Sequence, residues 1–348
     1  MKKIVLTIDY EIYFGDITGS VKECMIDPTN RLLKILDMND SKMTVFWDIL
    51  HFYKLLELQD EFPELKKERI AIQNQIHKIV QKGHDIQLHL HPHWLDAKYI
   101  EGKWSFVYDR FKLHTLSKIN DPNDINTIVG CIIIAKNLME KIVREADKNY
   151  NVNSFRAGGY LIEPFNELKD IFYDNGIFID SSICPNLKND SNIYAFNYNK
   201  YPKKQHYRFI DNISIIDDEG YFIEFPITTF KIPFLVRLYF TFLKRYKYKN
   251  FKSGRKGNGS ESVNKNDIKL LQKMHNYYFD KRYDKLTTDD SFIEKYNYLI
   301  KRADNYSNQI LHPKMLNEHA FSIFESKTLK DKIKFISIKD FLKLNSIN

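Results

Sequence analysis

Along these 348 residues, short apolar runs alternate with amphipathic stretches, and run after run ends in a polar or ionisable residue. Ile4 to Ile8 is nearly continuous in apolar, β-branched residues, as in a strand buried on both faces of a parallel sheet, and it hands over to Asp9, Tyr10 and Glu11. Met43 to Trp47 reads as a second such strand, after a helical stretch around 31–36. Helical spacing over 65–80 puts Ile72, Ile76, Ile79 and Val80 on one side and leads into the strand Ile86 to Leu90. A long amphipathic helix is predicted over 126–146, then a strand running from Asn153 into the glycine turn Gly158-Gly159. A helix over 165–173 and a strand over 177–182 follow; later come helices near 267–278 and 292–302, strands at 309–313 and 334–338, and a terminal helix. Such alternation describes an α/β barrel or a doubly wound sheet. In barrels the functional groups gather at the C-terminal strand ends, and that is where Asp9, Glu11, His89, Arg156 and Asp180 fall.

Four of the eleven histidines lie between positions 84 and 93. Ile86, Leu88 and Leu90 alternate with Gln87, His89 and His91, so His89 and His91 point to one face at the strand end. Pro92 then stops the ladder and turns the chain toward His93. Imidazole is the commonest ligand for transition metals and the usual acid or base near neutral pH. His84 shares the face of Ile86 at the strand's start and reads as scaffold. His91 has three open readings: the metal's surroundings, a substrate contact, or strand-end packing. One carboxylate and two imidazoles suit a Zn²⁺-like ion with an open position for water. A second carboxylate to take the water's proton, an arginine to hold it ionised, and a histidine opposite to protonate a leaving amine would complete an apparatus for amide hydrolysis.

These residues also carry a family resemblance. The order Thr7-Ile8-Asp9-Tyr10-Glu11, then Gly83-His84-x-Ile86-x-x-His89-x-x-x-His93, then Arg156-Ala157-Gly158-Gly159-Tyr160, Ile179-Asp180-Ser181-Ser182, Glu224-Phe225-Pro226 and Leu311-His312-Pro313 resembles the polysaccharide deacetylases of the NodB-homology family, carbohydrate esterase family four. The resemblance runs over essentially the whole chain. It implies a distorted (β/α) barrel, here carrying a β-hairpin and a basic-aromatic insertion. It implies Asp9 as catalytic base, Arg156 as its partner, His312 as general acid, and Glu11, His89 and His93 as ligands of a divalent metal, Zn²⁺ with Co²⁺ or Ni²⁺ as alternatives. Asp180 would orient a catalytic neighbour. One departure stands out: the family has two adjacent aspartates, whereas here Tyr10 separates Asp9 from Glu11, an acidic-x-acidic order met in some intracellular relatives. Residues i and i+2 of a strand face the same side, so the two acids can converge on one site. The expected activity is metal-dependent deacetylation of an N-acetylated sugar or glycan precursor in surface glycan biosynthesis. The alternatives are hydrolysis of another C–N bond (formamide or ureide) on the same fold, or glycan binding without catalysis.

The length suits one large core, read as a single catalytic domain over 1–348 with an insertion at about 186–305. Within it, 207–228 alternates around Asp217-Asp218-Glu219-Gly220 as a β-hairpin. Lys231 to Lys256 holds nine Lys/Arg and no Asp or Glu, interleaved with aromatics. That run is either a solvated helix with an aromatic core face or a contact for an anionic membrane surface, apt for a lipid-linked substrate. The net charge of +8 comes with no base-stacking or groove-reading module, which argues against nucleic acid. Three scattered cysteines argue against a disulfide scaffold, and no apolar run reaches signal-peptide or membrane-span length. The expectation is a cytoplasmic protein, with any membrane contact peripheral.

Overall fold

The computed structural model describes residues 1–191, 193–248, 256–258, 282–289, 291–326 and 331–347. The helix expected near 267–278 lies outside the described residues. The strands are β1 (Lys2–Tyr10), β2 (Thr44–Asp48), β3 (Asp85–Leu90), β4 (Lys98–Ile100), β5 (Lys103–Ser105), β6 (Ser154–Ala157), β7 (Ile179–Asp180), β8 (Lys188–Asp190) and β9 (Ala195–Asn197). After these come β10 (Tyr207–Phe209), β11 (Phe222–Glu224), β12 (Thr229–Lys231), β13 (Tyr283–Lys285), β14 (Asn308–Leu311) and β15 (Ile333–Ile336). One large sheet runs β10-β11-β7-β6-β3-β2-β1-β14, with β15 also paired to β1. All its pairings are parallel except β10 with β11, the expected hairpin.

The sheet curls, and irregular backbone closes it. Thr228 N donates to Asn308 O (3.0 Å), Leu286 N to Thr228 O (2.7 Å), and Ile310 N to Leu286 O (3.1 Å). The result is the expected distorted (β/α) barrel. Connecting helices include α1 (Asp27–Asp37), α2 (Ile49–Leu58), α3 (Pro63–Gln81), α4 (Ile128–Val143), α5 (Lys169–Asp174), α6 (Phe234–Tyr246), α7 (Ile293–Arg302), α8 (Glu318–Glu325) and α9 (Ile338–Leu344). Local chemistry marks their starts: the Thr127 hydroxyl accepts from Gly130 N at α4, and Ser337 with Asp340 forms a capping box at α9.

Strand parity sorts the side chains into two cores. Ile4, Leu6, Ile8 and Tyr10 of β1, with Ile86, Leu88 and Leu90 of β3, pack outward under the helices. Inside, Val5, Phe46, Ile179, Ile223, Phe225 and Ile336 meet Ile338 and Phe341 of α9, which plug one end of the barrel. Above this plug the interior turns polar. Arg156 lies with its guanidinium 4.2 Å over the Phe46 ring and donates to Thr7 Oγ1, Ser181 O and Ser181 Oγ. That polar layer is the floor of the cleft described next.

Candidate active site

A cleft of about 660 Å³ opens above Arg156, lined by Asp9, Glu11, His89, His91, His312 and Lys314 among others. Asp9 ends the inward row of β1. Its Oδ1 accepts from Arg156 Nη1 at 2.6 Å, and its Oδ2 faces His312 Nε2 at 3.5 Å. Burial opposes ionisation of Asp9, but the guanidinium, helped by His312 and His89, overrides it and holds the carboxyl well below its usual range. Asp9 is therefore a buried carboxylate, charged and fixed in direction.

Glu11 lies two residues on, past the end of β1, and reaches two imidazoles with one oxygen. Its Oε2 stands 3.2 Å from His89 Nε2 and 2.9 Å from His91 Nε2. Its Oε1 accepts from Lys314 Nζ at 2.8 Å. Burial again opposes the charge, and Lys314, His91 and His89 outweigh it, so Glu11 too is held low. One donor atom from each of Glu11, His89 and His91 lies within 4.8 Å of the other two. His89 Nδ1 donates to Arg156 O at 2.8 Å, which turns Nε2 toward Glu11; burial opposes its charge, but Asp9 and Glu11 outweigh it and raise His89 above its usual range. Burial pushes His91 down to about 4, so its ring is neutral, as a ligand must be. One carboxylate and two neutral-capable imidazoles converging from one wall fit a divalent ion with its open side toward the cleft.

The resemblance gives the third ligand position to His93; in the structure it is His91 that lies beside Glu11 and His89. Strand geometry keeps His89 and His91 on one face, whereas Pro92 opens a short 3₁₀ turn (Pro92–Asp96) that carries His93 aside. His93 stacks on Phe111, centroids 5.0 Å apart, with Phe14 and Phe106 at its edges, and neither ring nitrogen has a hydrogen-bond partner. Burial holds it neutral.

His312 follows β14 and is gripped by a residue the sequence reading did not single out. Its Nδ1 donates to Asp289 Oδ2 at 2.7 Å, and its backbone N donates to Asp289 Oδ1 at 3.1 Å. Burial disfavours the imidazolium, but Asp289 and Asp9 more than compensate, raising His312 to about 9. At neutral pH it is a proton donor aimed at Asp9. Lys314 was also missed; its ammonium bonds Glu11 and Ile12 O and lies 4.8 Å from the Phe14 ring centroid. Its only sequence signal was its place two residues after His312. The turn after β6 fits around the ligand wall: a Cβ at Gly158 would come within 2.6 Å of His91 Nδ1, and Gly159 has φ +59°.

Asp180 does not enter the cleft. By parity Ser181 faces inward to Arg156, and Asp180 faces outward, where its Oδ1 and Oδ2 accept from Ser182 Oγ (2.7 Å) and Ser182 N (2.9 Å). Ser182 Oγ in turn accepts from Ala157 N at 2.8 Å, so Asp180 braces the end of β6 beside Arg156. His84 is scaffold as expected, its Nδ1 accepting from Met43 N at 3.2 Å.

No family model matches the chain, and no curated protein matches it. Solved structures do. A family 4 acetyl xylan esterase from Clostridium thermocellum, in complex with a cobalt ion, aligns over 100% of this chain and 93% of its own, at 10% identity and a TM-score of 0.40. A peptidoglycan deacetylase from Bacillus subtilis aligns over 99% and 92% (11% identity, TM-score 0.36), and an allantoinase over 98% and 89% (9% identity, TM-score 0.44).

Proposed function

We propose that this chain is a metal-dependent amidohydrolase that removes the acetyl group from an N-acetylated sugar. The observation that carries the reading is an acid and a base facing each other beside a metal-competent triad: His312 Nε2 lies 3.5 Å from Asp9 Oδ2, next to Glu11, His89 and His91. A divalent ion held by those three residues would supply Lewis-acid polarisation and a water acidified to near neutral pH. Asp9, kept ionised by Arg156, takes the attacking water's proton. His312, kept cationic by Asp289, gives a proton to the departing amine. Phe14, Phe111, Tyr160 and Tyr194 offer aromatic walls suited to a sugar ring, and Lys285 and Lys295 line the cleft with them. The sequence resemblance selects the acetamide of a sugar among the amides such a site could open.

The test is acetate release by the purified chain, stripped of metal and reloaded with Zn²⁺ or Co²⁺, from N-acetylated mono- and oligosaccharides. Metal-restored acetate release is expected. Tight metal binding with no acetate release, but with turnover of a formamide or ureide, would move the chain to the alternative chemistry. Metal binding with no turnover of any of these would leave a glycan-binding domain.

A further inference from the structure

Helix α6 presents an apolar face that the barrel does not use. Leu235, Leu238, Tyr239, Phe242 and Tyr246 are each between 48 and 74% exposed. At 3.6 residues per turn these five fall within an arc of roughly 100°. The opposite side already anchors the helix: Phe240 packs edge-on to Phe292, which precedes α7, and to Tyr298 of α7 (centroids 5.7 and 5.6 Å), and Leu243 is buried. Among the described residues the exposed stripe therefore adds nothing to the core, and it is a contiguous patch rather than scattered surface residues.

Charge decides what fits it. Lys231 and Arg245 are exposed, Arg245 next to Leu238 at the edge of the stripe while Lys244 points to the far side, and the stretch 231–248 has no acidic residue. Two copies of this face would bring like charges together, whereas anionic headgroups would neutralise them. Tyr239, Phe242 and Tyr246 are the side-chain types that settle at headgroup depth. No helix among the described residues is long and apolar enough to cross a membrane, so α6 would lie flat. We propose that α6 docks this protein on an anionic lipid bilayer, its aromatic-aliphatic face in the headgroup layer and its basic residues on lipid phosphates. The cleft is close by, because β12 leads into α6 and pairs with β13, whose Lys285 lines the cleft wall. If the deacetylase reading holds, the docked cleft faces substrates carried on lipid; the docking itself does not depend on that reading.

Co-sedimentation of the full chain with vesicles tests this, using phosphatidylcholine alone and phosphatidylcholine mixed with phosphatidylglycerol. Binding is expected to the anionic vesicles, to weaken with added salt, and to be unchanged in His89→Ala. Leu235→Ser/Phe242→Ser should weaken binding by about tenfold or more, and Lys231→Ser/Arg245→Ser by about tenfold. All four positions are exposed, so unaltered thermal melting checks that the variants are folded. Equal binding to both vesicle types, or variants that bind like the wild type, would overturn the proposal. So would a concentration-dependent dimer, without vesicle binding, that Leu235→Ser/Phe242→Ser abolishes; the face would then belong to a second copy.

Discussion

Two strand ends of the barrel each bury a carboxylate near Arg156, and they do opposite things with it. At the end of β1, Asp9 points inward, meets the guanidinium at 2.6 Å and stays ionised. At the end of β7, Asp180 points outward and sits in register beside a second acid, Glu224 of β11. Burial raises both of these acids; the mutual repulsion adds to it most clearly for Glu224, which rises well above its usual range. Position at a strand end thus selects candidates, but face and partner charge decide which carboxylate can act. One end is built to hold a charge in place, the other to hold a proton.

The sharpest break in that contrast concerns the ligand wall of the charged end. His89→Ala and His91→Ala should each abolish tight metal binding and activity, while His93→Phe should keep both, since His93 sits in an aromatic box. Metal content after dialysis reads this directly. A His93→Phe protein without metal, beside a His91→Ala protein with it, would restore the original spacing argument. Next comes the carboxylate itself. Asp9→Asn should lower kcat by about 10³-fold with metal retained, because it removes the base yet keeps the shape. Asp180→Asn should keep kcat within about threefold and lower the melting temperature instead, because its oxygens accept from Ser182, outside the cleft.

Much of this was legible in the sequence, and the misses have physical causes. The inward row Asp9 and Glu11, the strand end at Arg156 and the histidine after β14 were all marked by apolar runs ending in ionisable residues. The same period-2 rule places His89 and His91 on one face, whereas the spacing behind the resemblance points to His93, and the His91→Ala and His93→Phe pair decides between them. The rule also placed Asp180 opposite Ser181, and that consequence was not drawn. Asp289 and Lys314 were invisible for a different reason. Asp289 lies on the irregular stretch after β13 and Lys314 in a short 3₁₀ turn (Pro313–Met315) after β14, where no periodicity reports direction, and only the closed barrel brings Asp289 to His312. The exposed stripe of α6 was half legible: its composition showed aromatics with bases, but periodicity alone does not say which face another element covers.

A smaller effect follows from the acid side of the charged end. His312 is raised to about 9, so as a proton donor it should support kcat from neutral pH upward until that value, then fail. For stability the direction is the same. A histidine raised above its ordinary value contributes stability fully below that ordinary value, near 6.5, and loses it as pH climbs through about 9. Asp289→Asn removes the largest attraction that holds the imidazolium. The alkaline limb of the kcat profile should move down by about one pH unit, with KM little changed. An alkaline limb that stays in place would show that another group limits the rate there.

The smallest effect belongs to the proton-holding end; it has the same pH sign but begins lower on the scale. Glu224 Oε1 accepts from Ile183 N at 3.2 Å, while Oε2 is buried and needs a proton to bond Asp180. An acid raised above its ordinary value favours the folded state only while protonated, so it costs stability as pH rises past about 4.5 toward the folded-state value. Glu224→Gln supplies the same donor without a titration: its carbonyl can accept from Ile183 and its amide can donate to Asp180. Melting temperatures of wild type and Glu224→Gln should agree to within about 2 °C near pH 5 and separate, with the variant higher, as pH rises to 8. Activity should follow the wild type throughout, since Asp9 keeps its guanidinium. A variant that loses stability at every pH would mean that Glu224 is ionised and held by charges other than Asp180, and the two strand ends would then differ in face alone.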